Sequence, residues 1–575
     1  HSQGYDTKIL RGGYDMKLPH NIMSFGSINT DNSKKVFGGV AYNYQKYGNN
    51  SLTTWSIQPS LSIRPLRIIK IQLSADYTDN QDQLQYVTTT NYLTEKRYIL
   101  GTIDQKTLGI TQSVCEICRK IIPTKICTDG SNVYFQKFCP DHGNSSSLIH
   151  NDLENYLQTQ RYVKPAWIPR EFSGESDKPC PEGCGFCSRH EQHLCMPIVE
   201  ITSRCNLACP ICIANAGQQW DMTVKEFSKL IDNLILTESQ IDVLNISGGE
   251  PLIHPQLLEI IDNALSRPEI VRVSISTNGL VLLDQPAQIH ELKKRNVVIS
   301  LQFDGFDDKA YEILRGRKLL KQKLAILDVL AESEISTSLT VTVADQINTD
   351  QFPKIVNYLF SNRHVISMMI QPLSFAGRGL NLSGKINRLS IPDITKLLGK
   401  MGDKRIKHSD FAPLPCSHPL CFYLAYYLML DDGNTVSLNQ LVGASKMMDL
   451  LANKTVFGLD IQEQENLKDM VYDIWSGPAG VAPDSAVVMK TLRRILDQMS
   501  TSCSCFDPRK AFTIAERNIK SIFIHAFQDV ETFDLSRVRR CCQAYPQTDG
   551  RLIPACVHNV LGRNNSVSAA EGVKK

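Results

Sequence analysis

Three things are scarce in this 575-residue sequence. Net charge is the first: 62 Lys and Arg against 59 Asp and Glu leave +3. No basic stripe accompanies that balance, so nucleic acid is not expected as a partner. Long apolar runs are the second. The strongest, Leu420 to Leu430, falls far short of the ~20 residues a membrane-spanning helix needs and is expected to be a buried helix. The third is cysteine, which is missing before Cys115 although the chain holds 18. A hydrophobic share of 42% and a charged share of 21% are ordinary for a globular chain, and the length allows more than one domain. The sequence opens on His1 without an initiator Met, so it reads as a fragment or a processed product.

Residues 1–110 also lack helical periodicity. Thr53 to Ile63, Ile68 to Tyr77 and Leu84 to Thr90 alternate apolar and polar residues between Asn, Asp and Gly turns, the pattern of antiparallel hairpins. With many Tyr, Thr and Gln residues, this segment resembles a piece of an outer-membrane β-barrel. A soluble β-sheet is the plainer alternative. A join of two gene segments stands beside a true fusion as the account of its place before a cysteine-rich region.

Residues 111–195 are cysteine-rich and loop-heavy. From Met196 the texture changes to β-branched runs at Pro197 to Thr202, Ile241 to Ser247, Val271 to Ser276, Val297 to Phe303, Ser336 to Val343 and Ser367 to Pro372. Helical patterns separate them at Val224 to Leu236, Gln256 to Leu265, Ala287 to Lys294, Lys318 to Ala331 and Asp350 to Phe360. Repeated βα units predict an α/β fold with a parallel sheet, and six of them suit a partial (βα)6 barrel over residues 196–379. Residues 380–575 read as mainly helical.

Cys205, Cys209 and Cys212 follow the first strand of that region with CxxxCxxC spacing. Three thiolates in one loop hold three irons of a cubane and leave the fourth open to chemistry. A structural zinc site would want a fourth local ligand, and none occurs between Cys212 and Ser247. The second strand ends on Ser247-Gly248-Gly249-Glu250-Pro251. Together these motifs resemble the radical S-adenosylmethionine (SAM) superfamily over Met196 to Gly379. The resemblance implies a 4Fe-4S cluster, S-adenosylmethionine bound at its open iron, and reductive cleavage of that cofactor to abstract hydrogen from an unactivated carbon. It implies that the glycines let backbone approach the cofactor's methionine group, that Glu250 fixes the loop, and that Asn278, Ser300 and Gln302 at later strand ends face the cofactor.

Other cysteines fall in groups. Cys115, Cys118 and Cys139, with Cys127 or His142 as fourth ligand, suit a mononuclear iron or zinc site of ribbon or rubredoxin type. Cys180, Cys184, Cys187 and Cys195 suit a second 4Fe-4S cluster, with zinc as the alternative. His190 and His193 between them read as solvated or hydrogen-bonded loop residues. Cys416, Cys421, Cys556 and one of Cys541 or Cys542 suit a third cluster, while Cys503 and Cys505 read equally as buried thiols.

Residues Val114 to about Gly562 resemble tetraether lipid synthases, on Cys180 to Cys195, Pro415 to Cys421, Arg540-Cys541-Cys542 and Arg551 to Cys556. That resemblance implies auxiliary clusters, one of them holding a first carbon-centred radical as a carbon–sulfur adduct, and C–C bond formation between lipid chains. A small-molecule or lipid substrate, a one-electron reductant such as ferredoxin or flavodoxin, and a cytoplasmic site at or near a membrane surface follow as expectations. The alternatives are a peptide maturase and a non-catalytic metal-binding module.

Overall fold

A computed structural model describes residues 5–6, 16–17, 21–31, 36–47, 52–66, 69–82, 84–92, 95–102, 106–160, 167–174, 180–214, 216–217, 219–401, 405–415, 417–451, 485–499 and 507–563. The chain divides into two compact units, residues 1–110 with 125–130 and 134–146, and the remainder.

In the first unit β1 (Tyr5–Asp6) pairs with β2 (Met16–Lys17). Strands β3 (Asn21–Asn29), β4 (Val36–Tyr47), β5 (Leu52–Leu66) and β6 (Ile69–Ser74) follow one another in an antiparallel sheet. Strand β7 (Tyr77–Asp82) returns to pair with β5, and β8 (Leu84–Tyr92) with β9 (Glu95–Thr102) makes a separate hairpin. The expected strand at Ile68 to Tyr77 divides into β6 and the start of β7, and Ile68 itself lies outside the described residues. Strands β10 (Lys106–Val114), β11 (Ile121–Thr128), β12 (Val133–Cys139) and β13 (Gly143–His150) form a four-stranded sheet of their own. Helix α1 (Leu153–Thr159) follows, with Asp152 accepting from the Asn155 amide as its cap.

The second unit is organised by six parallel strands in chain order: β14 (Met196–Thr202), β15 (Ile241–Gly248), β16 (Ile270–Thr277), β17 (Val298–Gln302), β18 (Thr337–Val343) and β19 (Val365–Pro372). The crossovers carry α2 (Val224–Glu238), α3 (Leu257–Leu265), α4 (Val281–Asp284), α5 (Pro286–Lys294), α6 (Asp308–Arg315), α7 (Leu320–Glu332) and α8 (Phe352–Ser361). Helix α2 shows how the sequence specifies these pieces. Thr223 and Glu226 form a reciprocal capping box. Phe227, Leu230, Ile231 and Leu234 then recur at helical spacing and are buried in the central apolar core.

Two expectations about the later chain are corrected. Leu420 to Leu430 is a strand, not a buried helix: β21 (Phe422–Met429) lies antiparallel to β23 (Ile519–His525), beyond β20 (Ala412–Pro413) and before β22 (Thr435–Ser437). Its odd-numbered residues Tyr423, Ala425 and Tyr427 enter the central core, while Phe422, Leu424, Tyr426 and Leu428 enter a second one. With both faces buried, the alternation that marks a strand disappears from the sequence. Among the described residues beyond 380, helix likewise alternates with strands that were not expected. Helices α9 (Ile391–Met401), Ser485–Met499 and Pro508–Asn518 are present. But β23 extends the sheet in parallel beside β19, and β24 (Gln543–Pro546), itself paired with β25 (Leu552–Pro554), does so beside β14.

Helix Pro508–Asn518 is pinned at the start of β16. Arg509 donates to the carbonyls of Arg267 at 2.8 Å and Ile270 at 2.9 Å. Glu516 accepts from Arg272 at 2.7 Å and from Ser336 at 2.6 Å. Burial dominates both partners of the pair, pushing the Glu516 carboxyl up and the Arg272 guanidinium down despite their mutual attraction. Arg272→Met is therefore expected to cost about 3–5 kcal/mol by stranding a buried carboxylate. The double variant Arg272→Met/Glu516→Leu should recover most of that loss. Urea unfolding of the two variants checks it, and equal losses would refute the account.

Candidate functional site

Strand β14 ends on Thr202, and the cysteine loop leaves from it. Thr202 donates to Asp221 at 2.6 Å, and Arg204 donates to the same carboxylate at 2.7 Å. At the neighbouring strand end, the Gly249 amide donates to the Thr202 carbonyl at 2.7 Å and the Glu250 amide to the Arg204 carbonyl at 2.8 Å. A Cβ on Gly248 would lie 2.2 Å from the Thr202 oxygen, and one on Gly249 would lie 2.0 Å from the Arg204 oxygen. The paired glycines are thus required by backbone crossing backbone, a reason beyond the approach of a cofactor that the motif implies.

The Glu250 side chain is fully buried and acts on two strand ends. It accepts from the Leu252 amide at 3.1 Å, the Thr277 hydroxyl at 2.6 Å and the Asn278 amide at 2.8 Å. Burial raises its carboxyl above the ordinary range, and those three donors pull against the rise. Pro251 opens a single 3-10 turn behind it and is buried.

Cys205, Cys209, Cys212, Gly248, Gly249, Glu250, Asn278, Ser300 and Gln302 all line one cavity of about 280 Å³ at the strand ends. Pro251 stands behind that wall. Burial, with Glu250 and the other two thiols adding to it, pushes the Cys205 thiol up to about 11. Burial beside a carboxylate and two further thiols disfavours the Cys205 thiolate, and a cationic iron centre is what removes that penalty, so the donor set fits a cluster.

Several residues that no motif announced hold this cavity together. Arg378 donates to the Cys209 carbonyl at 2.9 Å and the Ala216 carbonyl at 3.1 Å, clamping the cysteine loop from the far end of β19. Arg315 pairs with the buried Asp304 at 2.7 Å. Lys323 is buried and donates to the Asn278 carbonyl at 2.6 Å, the Gln302 carbonyl at 2.7 Å and the Gln302 side chain at 3.0 Å. Burial lowers its ammonium to about 7. These cations sit far from the cysteine motif in sequence and carry no local signature of their own.

A second cavity of about 230 Å³ continues inward. It shares Ile198, Asn245, Ser276, Ser300, Thr340 and Gln371 with the first. Ile366, Met369, Phe422 and Phe523 give it an apolar wall. Some of its hydroxyls are paired: Ser276 donates to Asn245 at 3.0 Å, Ser300 and Thr340 lie 2.9 Å apart, and Ser367 donates to Ser338 at 2.7 Å, while Ser274, Ser521, Gln371, Arg272 and Glu516 also line the cavity.

The remaining cysteines fall into separate places, with no disulfide among the described ones. Cys115, Cys118, Cys139 and His142 bring their ligand atoms within 4.8 Å of one another, a set suited to one metal ion. Cys127 is not in this quartet, which corrects its place among the expected ligands. Its thiol meets the Thr107 hydroxyl at 3.8 Å, and burial raises it. Cys184 is pushed up to about 12 by burial and by its neighbours Cys180 and Cys187. Cys195 packs with Cys421 and Cys542 in another apolar cluster, its amide donating to the Cys542 carbonyl at 2.9 Å. Burial, then the Cys556, Cys542 and Cys421 thiols, raise Cys541 far above its ordinary value. Arg537 donates to the Cys421 sulfur at 3.3 Å. Cys416, Cys503 and Cys505 lie outside the described residues. His190 meets the Cys541 carbonyl at 2.9 Å and His193 meets Glu238 at 3.2 Å, so both are hydrogen-bonded.

Residues 199–359 match the family described as the Radical SAM superfamily, and residues 107–151 match the HMPTM N-terminal zinc ribbon domain. A 7,8-dihydro-6-hydroxymethylpterin dimethyltransferase from Methanocaldococcus jannaschii is 27% identical over 495 residues, 79% of this chain and 94% of that one. A GTP 3',8-cyclase from Chlorobaculum tepidum is 32% identical over 162 residues, 28% of this chain and 48% of its own. Among solved structures, Streptococcus suis SuiB bound to precursor peptide SuiA aligns over 36% of this chain and 45% of its own at 16% identity, with a TM-score of 0.31. The long relative is named for methylation of a pterin, not for lipid coupling. The superfamily's matched segment spans the cysteine loop, the glycine pair and the strands that carry them, so residues 199–359 form a radical SAM domain.

Proposed function

We propose that this radical SAM enzyme, working in a partial (βα)6 barrel, abstracts hydrogen from unactivated carbons of long apolar chains and joins two such chains by a C–C bond. The observation that carries the substrate class is the continuity of the cluster cavity with a chamber that has an apolar wall and four hydroxyls already paired. An alkyl chain against that wall leaves the Ser300–Thr340 and Ser338–Ser367 contacts in place, whereas a polar substrate would compete with them. When bound, a 4Fe-4S cluster and S-adenosylmethionine supply the one-electron cleavage that makes hydrogen abstraction possible.

The chain's own residues do the positioning. Cys205, Cys209 and Cys212 hold the cluster. Gly248, Gly249 and Glu250 set the cofactor-facing backbone by tying the loop to two strand ends. Asn278, Ser300 and Gln302 present polar atoms to the cofactor, and Lys323 fixes Gln302 from behind. The apolar wall excludes water that would quench a reactive carbon. Cys180, Cys184 and Cys187 form one auxiliary site, and Cys421, Cys541 and Cys556 form another. A ferredoxin- or flavodoxin-type protein supplies electrons, and the enzyme meets its substrate at a membrane surface. Among the described residues no helix is long and apolar enough to cross a membrane. A second reading, methyl transfer to a pterin, is favoured by the relative that covers 79% of this chain.

Anaerobic turnover with lipid extract and, in parallel, with 7,8-dihydro-6-hydroxymethylpterin separates the readings. Coupling gives products lighter by two hydrogens per new bond, and methyl transfer gives products heavier by a methylene. Cys205→Ala is expected to lose about four irons per chain and all 5′-deoxyadenosine formation. Cys184→Ala should keep cofactor cleavage while losing coupled product. Parallel loss of both activities in Cys184→Ala would assign that site to electron delivery instead. Metal analysis tests the ribbon quartet: His142→Ala should lose about one further metal per chain, and Cys127→Ser should lose none.

A further inference from the structure

The sheet of β3 to β7 is sorted by face in an unusual sense. Register places Ile28, Val40, Pro59, Tyr42, Ile57, Leu61, Leu73 and Tyr77 on one face, because Ile28 pairs with Val40, Val40 with Pro59, Tyr42 with Ile57, Leu61 with Leu73 and Ile57 with Tyr77. The other face carries Asn43, Ser56, Gln58, Ser60 and Ser62, with Met23 and Phe25 on the edge strand β3. In a sheet built for water the apolar face is the covered one. Here Ile28 is 82% exposed, Leu73 62% and Leu61 43%, while Ser56 is 8% exposed and Ser62 4%.

The apolar face is also banded along the strands. From Val36 to Tyr42 it carries no charge. Tyr42, Tyr44, Trp55 and Tyr77 follow at one end, with the Trp55 and Tyr77 rings 5.3 Å apart. The first charges on this face come at that end: Asp79 lies in the Trp55 row and accepts from its indole at 3.1 Å, and Lys46 lies one row further out. Strands of 9, 12 and 15 residues reach the length that a tilted strand needs to cross hydrocarbon. An uncharged band ended by amphipathic rings and then by charge matches the gradient from acyl chains to headgroups. A protein partner would supply no such gradient.

We infer that the Ile28–Val40–Leu61–Leu73 face contacts the acyl chains of a lipid bilayer, with Trp55 and Tyr77 at the headgroup level. The opposite face is the one turned from lipid, and Ser56 and Ser62 on its inner strand are screened, while Met23 and Phe25 on its edge strand are open.

The test uses the full chain and vesicles of neutral phosphatidylcholine. The protein should float with the vesicles. Val40→Asp/Leu61→Asp should reduce flotation by about tenfold or more, and Asn43→Asp on the other face should leave it unchanged. To guard against a variant that misfolds, a chain keeping only Trp55 (Trp167→Phe, Trp220→Phe, Trp475→Phe) is mixed with vesicles whose acyl chains carry bromine. Trp55 fluorescence should fall at least about twofold. No flotation, equal loss from both faces, unquenched Trp55, or self-association of the chain that Val40→Asp abolishes would each overturn the inference.

Discussion

Glu250 sits where three pieces of chain meet without side chains of their own to bind them. Its carboxylate takes one hydrogen bond from the turn that follows it and two from the end of the next strand. Its own amide ties back to the cysteine loop. Since the group is buried and its acidity is depressed by that burial, the donors must stay in place for it to be tolerated. The glycine pair before it lets the cysteine loop lie directly on the strand end. The cavity's upper wall is thus a consequence of one buried acid and two absent side chains.

Below that wall the molecule relies on cations aimed at backbone carbonyls. Arg378 holds the cysteine loop, Lys323 holds the ends of β16 and β17, and Arg509 holds the turn before β16. Carbonyls at loop and strand ends lack a ladder partner, and a long cation satisfies two or three at once while its stem packs against apolar neighbours. Arg537 does related work at the Cys421 sulfur. The cysteine loop after β14 and the loop of Cys421 thus each have an arginine from a distant part of the chain fixing them.

The cysteine loop was legible because three thiols at CxxxCxxC spacing have few other uses, and the βα alternation was legible because buried parallel strands are β-branched and evenly spaced. What stayed hidden was nonlocal. Nothing near Ile519 says that β23 will lie beside β19, and β21 lost its alternation by entering two cores at once. Cys195 follows Cys187 by eight residues in sequence, yet the fold carries it to Cys421 and Cys542. Nothing local in the sequence marks Arg315, Lys323 or Arg378, because their partners lie elsewhere in the chain. The glycine pair was recognised, but its reason, contact with the carbonyls of Thr202 and Arg204, needed the backbone.

The placement of β23 has a bearing on how the chain is made. Strand β19 ends at Pro372 and its parallel partner begins at Ile519. At ~5–20 residues per second, the intervening stretch of about 150 residues takes roughly 7–30 s to synthesise. Throughout that interval the newborn sheet presents β19 as an open edge with unpaired amides and carbonyls. On the ribosome the enzyme half-exists as a sticky sheet, and its completion waits on the arrival of the very segment that also carries Arg537, Cys541 and Cys556.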